Sequence, residues 1–312
     1  MKKIYDDILD KYSKKHLRVR NADTPGNLGI ILEGTGSNYF LKLNTKKSLN
    51  RKSKKQLQDE INFFNFLNKH KIPAIQPIKM ADGRAIYSFN GARGYATKWL
   101  KYSYKRKVNL RDITAVAKTI AKMHLVGQRF YPESKRKSWS LKSTKYYLKH
   151  NKQILPIKIY EHILKQFDEI KLSYDLPRGF IHEDMGRRHF LWNNEKIVGI
   201  LDFDRAYTGF FICDLAQTIR GWCIEGQTKP RTDLIEAFLK EYDKIRKLSE
   251  IERKYFYNAL RFAALERANS YATRYAISSN VSFLLPYNHF LGQDKQIVKI
   301  KSQVEDLLHK LP

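Results

Sequence analysis

Two acidic positions in the segment Phe180–Gly209, FIHEDMGRRHFLWNNEKIVGILDFDRAYTG, have the types and spacing that chemistry at a phosphate ester requires. Asp184 sits in a His-x-Asp turn just after the start of an apolar strand. Asp202 closes the apolar run IVGIL eighteen residues later. Phosphoryl transfer uses one carboxylate to accept the proton of an attacking hydroxyl, and another on a rigid strand end to hold magnesium against the ATP phosphates. The matching pattern is H-R-D-x-x-x-x-N followed by D-F-G. His182 and Asp184 fit its first part and Asp202-Phe203 its last, but the residue five after Asp184 is His189, not Asn. A turn aspartate often only bonds its own backbone. A carboxylate ending a buried strand is rarely just solvated, so Asp202 is assigned to metal ligation. Asp204 is either a second carboxylate at the same place or a turn or helix cap.

Upstream, Lys42 lies in YFLKLN, where alternation sets it between apolar neighbours on a strand. Glu60 has Leu57, Phe63 and Phe64 at helical spacing, which turns its carboxylate inward. A buried carboxylate is costly unless paired. Each residue alone has a surface reading. Together, ahead of the His-x-Asp turn, they are expected to form the strand-lysine and helix-glutamate ion pair that positions ATP phosphates.

The neighbours are read more plainly. His182 braces the turn through hydrogen bonds, and His124 is a satisfied core histidine. Asp214, in FFICDLAQTIRGW, either caps an apolar helix or is a buried acceptor tying down the catalytic loop. Arg187 and Arg188 face either the cleft or solvent. Cys213 and Cys223 form no CxxC pair and read as buried small hydrophobes suited to a reducing cytoplasm. Gly26-Asn-Leu-Gly29 and Gly34-Thr-Gly36 fit ordinary hairpin turns or, for the first, a phosphate-covering loop. No Walker A motif is present.

The elements that must position these groups follow from pattern. Leu17–Arg20, Gly29–Leu32 and Asn38–Leu43 read as strands, with turns at Asp23–Gly26 and Glu33–Gly36. Gln56–His70 reads as a helix, Ile75–Met80 and Arg84–Ser88 as strands joined at Asp82-Gly83, and Tyr95–Leu100 as another apolar stretch. Ile4, Ile8, Leu9 and Tyr12 share one face of a short leading helix. Beyond Leu100 the pattern turns helical: Ile113 to His124, one long amphipathic stretch Tyr146–Ile170, then 232–247 and 250–275, with Asn193-Asn194 as a hairpin turn between two strands. These imply a small antiparallel sheet with one main helix over 1–98 and a larger, mostly helical part over 99–312.

Length and composition agree. The chain has 312 residues, 42% hydrophobic and 13% aromatic, which excludes disorder. No apolar run nears the ~20 residues of a membrane span, and the first residues lack a secretory h-region. The net charge of +28 is concentrated in Lys46–Lys55, Lys101–Lys107 and Lys135–Lys137, read as loops or helix starts. It fits either solvated surface or an anionic partner. Nucleic acid is not expected, because no nucleic-acid-binding signature accompanies the charge.

With these parts in order, the chain resembles the aminoglycoside phosphotransferase and choline kinase superfamily. Within it the nearest likeness is to the phosphotransferase-type homoserine kinase, carried by EINFFNFLNKHKIPAIQPIKMADGRAIYSFNGARGYATKWL, IAKMHLVGQRF, DLAQTIRGWC and LIEAFLKEYDKIRKLSEIERKYFYNALRFAALER. DFD and HLVGQRFYP also resemble a spore-coat kinase-like branch. The resemblance implies an α+β, protein-kinase-like two-lobe fold, with a nucleotide-binding lobe at 1–98 and a catalytic and acceptor-binding lobe at 99–312. It implies a cytoplasmic ATP-dependent kinase of a small-molecule hydroxyl. Lys42 and Glu60 would bind phosphates, Thr97, Lys98 and Trp99 the adenine, Asp184 would be the base, and Asp202 the principal magnesium ligand. His189 departs from the family's Asn at the second metal position. As an imidazole there it favours manganese over magnesium, or marks a nucleotide-binding pseudokinase. Aminoglycosides are polycations, which the basic charge argues against, although Glu225 and Glu266 are local acids. An anionic glycan or lipid headgroup is the alternative acceptor.

Overall fold

Alternation builds the first layer. In the computed structural model, which describes residues 2–14, 16–22, 27–46, 48, 51–100, 102–224 and 229–312, a leading helix α1 (Lys2–Lys11) precedes three strands. These are β1 (Arg18–Ala22), β2 (Leu28–Glu33) and β3 (Tyr39–Asn44). The turn expected at Asp23–Gly26, Gly26 of the first glycine pair, and Glu225 lie outside the described residues. After helix α2 (Lys54–Lys69), strands β4 (Tyr87–Phe89) and β5 (Ala92–Lys98) complete an antiparallel sheet in the order β1-β2-β3-β5-β4.

Ile30, Leu32, Leu41 and Leu43 point to one face and pack with Ile8 and Tyr12 of α1. Lys42, one residue out of phase with Leu41 and Leu43, therefore points to the other face, toward α2. It is paired across the sheet with Gly29 on one side and Tyr95 on the other. Gly94 allows this close approach, since a Cβ there would lie 1.8 Å from the Lys42 carbonyl oxygen.

Two expected strands differ. Ile75–Met80 makes only isolated bridges, Ala74 with Ile200 and Pro77 with Thr97. Pro73 and Pro77 remove ladder donors from this run. The regular hairpin lies instead at Asn90-Gly91, both with positive φ (46° and 81°), the two-residue Asn-Gly turn that suits the strand twist. α2 begins two residues before the expected Gln56, because Ser53 caps it and Gln56 reaches back as the capping-box partner.

The helical part follows with α3 (Leu110–Gly127), α4 (Leu141–His150) and α5 (Ile157–Glu169). The single stretch expected over Tyr146–Ile170 is thus two helices, broken before Pro156, whose ring excludes continuation. Strand β6 (Arg178–Ile181) pairs with β9 (Tyr207–Phe210). Between them, β7 (Phe190–Asn193) and β8 (Lys196–Ile200) form a hairpin that turns at Asn194, as expected. Helices α6 (Phe211–Cys223), α7 (Thr232–Ile245), α8 (Glu250–Ser278), α9 (Leu284–Lys299) and α10 (Lys301–His309) complete the chain. No helix among the described residues is long and apolar enough to cross a membrane.

An aromatic stack joins α2 to the strands behind the site. The Phe63 ring lies 4.6 Å from Phe180, 4.8 Å from Phe130 and 5.8 Å from Phe203. Phe64 lies 5.0 Å from Phe203 and 5.8 Å from Tyr95. Phe63 is fully buried, so Phe63→Ala is expected to lower unfolding free energy by about 3–5 kcal/mol in chemical denaturation. Leu285→Ala, at a side chain 78% exposed, should shift it by no more than about 0.5 kcal/mol.

Candidate active site

The His-x-Asp turn is held from below by one buried carboxylate. Asp214, in the first turn of α6, accepts from the backbone N–H of His182 at 3.0 Å and of Glu183 at 2.8 Å. Its Oδ2 also accepts from His124 Nε2 at 3.1 Å, and the other His124 nitrogen meets the Tyr242 hydroxyl at 2.7 Å. Of the two roles open for Asp214, the buried acceptor is the one found. Phe210, not Asp214, is the cap residue of α6. His182 braces the turn as expected: Nδ1 accepts from the Asp184 N–H at 3.1 Å, and Nε2 donates to the Leu201 carbonyl at 2.8 Å. Glu183, between them, was not singled out from sequence. It has a left-handed φ of 63°, is fully buried, and burial pushes its carboxyl well above the usual range.

Asp184 points away from this brace. Arg267 of α8 donates to its Oδ1 at 2.7 Å, and Arg188 lies 3.7 Å from Oδ2. Burial opposes its charge, but Arg267 first, then His189, Arg205 and Arg188, hold the carboxyl well below the usual range. The two arginines of the turn thus divide. Arg188 approaches Asp184, whereas Arg187 donates to the carbonyls of Arg106 and Trp222 and braces the loop. Arg267 was also missed: in a 29-residue helix nothing in its spacing tells it from other buried arginines.

Lys42 and Glu60 do not meet. Lys42 Nζ lies 2.7 Å from Asp202 and 2.8 Å from Asp204. Glu60 is bonded by Lys52, accepts from the Tyr95 hydroxyl at 2.5 Å, and has Arg136 at 3.5 Å. Lys52 also reaches Asp204 at 2.6 Å, so the chain of contacts runs Lys42, Asp204, Lys52, Glu60. The physical reason is competition. Two carboxylates at the end of β8 claim Lys42, and Lys52 supplies Glu60 with the cation it needs. Lys52 and Arg136 belong to the basic stretches read as loop surface, yet their side chains are only 6% exposed. No periodicity marks them, because both lie outside regular elements. Burial works against the charges of Lys42 and Asp204. Asp204 and Asp202 nevertheless raise the Lys42 pKa, while Lys52 and Lys42 lower that of Asp204.

His189 lies between the two acidic positions. Its Nδ1 bonds the Asp184 carbonyl oxygen, and its Nε2 accepts from Arg188 Nε at 3.0 Å. That network fixes the proton on Nδ1 and leaves the Nε2 lone pair 3.5 Å from Asp202 Oδ2. Two carboxylates already converge on a cation, the Lys42 ammonium, so the donor set suits a hard divalent ion. Among the described residues no cluster of three or more such side chains is preformed. At the far end of β5, Thr97 is buried, Lys98 is exposed and Trp99 is 38% exposed, with its N–H donating to the Asn38 carbonyl at 2.8 Å. Cys213 and Cys223 are free thiols buried in the core, as expected.

Both bracing histidines are neutral in the fold. Burial lowers the pKa of His124, outweighing Asp214, and burial, then His189, lowers that of His182. A folded pKa below the unfolded value of about 6.5 means that their contribution is complete above that pH and is lost as pH falls beneath it. Urea-unfolding free energy is therefore expected to drop from pH ~6.5 toward ~5 by up to about 1.4 kcal/mol per pH unit for each histidine. His124→Gln should make that slope shallower. An unchanged slope would mean that His124 is already protonated in the fold.

Comparison with known proteins agrees with this geometry. The profile of the phosphotransferase enzyme family matches residues 27–248. The chain is 28% identical over 244 residues to the homoserine kinase of Nitrobacter hamburgensis, covering 74% of this chain and 71% of that one. It is 27% identical over 268 residues to the homoserine kinase of Neisseria meningitidis, covering 83% and 87%. Among solved structures, an amicoumacin kinase in complex with AMP-PNP and Ca2+ superimposes with a TM-score of 0.73 at 15% identity, over 96% of this chain and 93% of that one. A microcompartment-associated aminopropanol kinase gives 0.69 at 13% identity, over 98% and 99%. The fold is thus the α+β, protein-kinase-like one, with an antiparallel sheet followed by a helical part; ATP is the phosphoryl donor and a divalent metal the cofactor. The chain belongs to the phosphotransferase enzyme family, as an ATP-dependent kinase of alcohol groups.

Proposed function

We propose that the acceptor is the hydroxyl of a small amino alcohol, sugar or related metabolite, homoserine first among them, with Asp184 as the general base. The observation that carries this reading is the width of one imidazole between the acidic positions. His189 Nδ1 is 3.9 Å from Asp184 Oδ1, and Nε2 is 3.5 Å from Asp202 Oδ2. A base and a metal carboxylate so close together suit an in-line transfer between a hydroxyl and a bound phosphate. The similarity to homoserine kinases supports the choice of acceptor.

The roles follow from the contacts. Residues 1–98 carry the nucleotide side and 99–312 the catalytic and acceptor side. Arg267 fixes Asp184 Oδ1, so Oδ2, with only Arg188 at 3.7 Å, is the oxygen that receives the acceptor's proton. A carboxylate held this acidic is a weak base. In a loose transition state the proton leaves late, so orienting the hydroxyl matters more than base strength. Lys42 exchanges its carboxylate partners for phosphate oxygens, while Glu60 anchors the ion network behind it. Thr97, Lys98 and Trp99 form the adenine edge. Asp202, with His189 and Asp204 beside it, holds magnesium or manganese, and the metal when bound neutralises charge on the transferred group.

A nucleotide-binding pseudokinase is the second reading. One observation favours it: imidazole stands at the second ligand position.

Asp184→Asn should cut kcat about 10²–10⁴-fold while AMP-PNP binding is retained, and it should also lower stability because Arg267 loses its buried partner. Turnover would be measured as ATP consumption with L-homoserine, aminopropanol, ethanolamine and an aminoglycoside. Full activity in this variant would remove Asp184 as the base. His189→Asn should raise magnesium-supported activity relative to manganese-supported activity. If both metals fail before and after the change, with every acceptor, the pseudokinase reading takes over.

A further inference from the structure

A cavity of about 150 Å³ opens beside Asp204, between the start of α2 and the segment that follows α3. Its wall holds four cations, Arg51, Lys52, Arg136 and Lys137, against the single carboxylate of Asp204. Lys52 and Arg136 are compensated, because both also reach Glu60. The other two are not. Among the described residues Arg51 donates to the Gly91 carbonyl, at 3.1 Å, and meets no carboxylate. The Lys137 ammonium lies 4.2 Å from the Trp139 ring centre and 4.8 Å from that of Tyr147, and meets no carboxylate among the described residues.

Further positive charge surrounds this wall. The Arg205 guanidinium stacks on the same Trp139 ring at 3.7 Å, although Glu266 pairs with it at 2.7 Å. Burial and then the Arg205 charge lower the Lys137 pKa. The first turn of α2 carries Lys54 and Lys55 and no acid, although carboxylates are favoured at that positive helix end. The walls are tied together. Asp59 of α2 accepts from the backbone N–H of Glu133 at 3.0 Å and of Ser134 at 2.9 Å, and Gln56 Nε2 donates to the Lys135 carbonyl at 2.8 Å. The two walls are therefore held close, and Arg51 and Lys137 stand exposed at their rim, where an anion would replace the water that solvates them.

We propose that this cavity is a binding site for the phosphate group of a small molecule, separate from the phosphates of the nucleotide. By the same measure one water needs about 10–15 Å³, so a phosphate and part of the molecule bearing it fit. Arg51 offers a guanidinium fork that matches phosphate oxygens, and Lys137 a point charge. An anion here also draws on Lys52 and Arg136, and so couples to Glu60, Asp204 and, through Asp204, to Lys42. The phosphate is carried either by the acceptor itself or by a separate effector. That last distinction rests on the kinase reading, whereas the binding does not.

The test titrates inorganic phosphate into the full chain saturated with AMP-PNP and magnesium, followed by ³¹P line broadening. Wild type should still bind phosphate, and Arg51→Gln/Lys137→Met should bind it at least tenfold more weakly, with AMP-PNP affinity unchanged. Complete displacement of phosphate by AMP-PNP overturns the proposal, as does equal binding by the double variant. Turnover then separates the sources. For an acceptor-borne phosphate, the double variant raises KM for a phosphorylated hydroxyl compound and spares unphosphorylated ones. For an effector, added phosphate alters wild-type turnover of an unphosphorylated acceptor and leaves the double variant unmoved. Should no acceptor be phosphorylated at all, the kinase reading fails while the binding result stands.

Discussion

Three buried or half-buried carboxylates, Asp202, Asp204 and Glu60, are balanced by three cations, Lys42, Lys52 and Arg136. Everything at the site depends on that balance. A charge removed from water is tolerated only when paired, and removing one partner of such a pair costs about 3–5 kcal/mol. The six partners come from five segments: β3, the approach to α2, α2 itself, the segment after α3, and the end of β8, which supplies both Asp202 and Asp204. The need to close this network therefore fixes how the sheet, α2 and the β7–β8 hairpin stand to one another, beyond what the Phe63 and Phe64 stack achieves by packing alone.

A second buried carboxylate governs the other half of the site. Asp214 receives two consecutive backbone N–H groups, those of His182 and Glu183, which no helix or strand satisfies. Holding both selects the left-handed conformation at Glu183 and aims Asp184 outward. His124, Tyr242 and Arg246 continue the hydrogen-bonded chain into α7 and beyond, with Arg246 Nη1 donating to the Tyr242 hydroxyl at 3.0 Å. The His-x-Asp turn is thus positioned by buried groups that do not touch Asp184 itself. This accounts for a polar line of residues running through an otherwise apolar core.

What could be read from sequence was what periodicity and motif spacing encode. Alternation located β2, β3 and the phase that sets Lys42 opposite to Leu41 and Leu43, and helical spacing turned Glu60 inward. His182, Asp184 and Asp202 stood out because strand, turn and acid came in a recognisable order. The misreadings have one cause. Lys52, Arg136 and Arg267 acquire their roles from partners 152, 76 and 83 residues away, and no local pattern carries that information. Even the Lys42–Glu60 pairing failed for this reason. Both residues were oriented correctly, but Lys52 came between them from a stretch whose composition looked like solvated surface. Asn90-Gly91 is different: the dipeptide is a local hairpin signal that the sequence reading did not use.

The closed charge network also has a consequence for how ligands enter. Lys42 is already satisfied by two carboxylates, so a nucleotide phosphate gains Lys42 only when Asp202 and Asp204 gain another cation in exchange. A phosphate arriving without a divalent ion would strand two acids, and a divalent ion arriving alone would crowd an ammonium. If they bind here as proposed, the anion would take the lysine and the metal would take the carboxylates, so that each charge keeps a partner. Nucleotide and metal are therefore expected to bind with strong mutual dependence, each raising the affinity of the other. Because Asp204 is also held by Lys52, which lines the cationic cavity, that exchange reaches beyond the nucleotide to whatever anion Lys52 and Arg136 share.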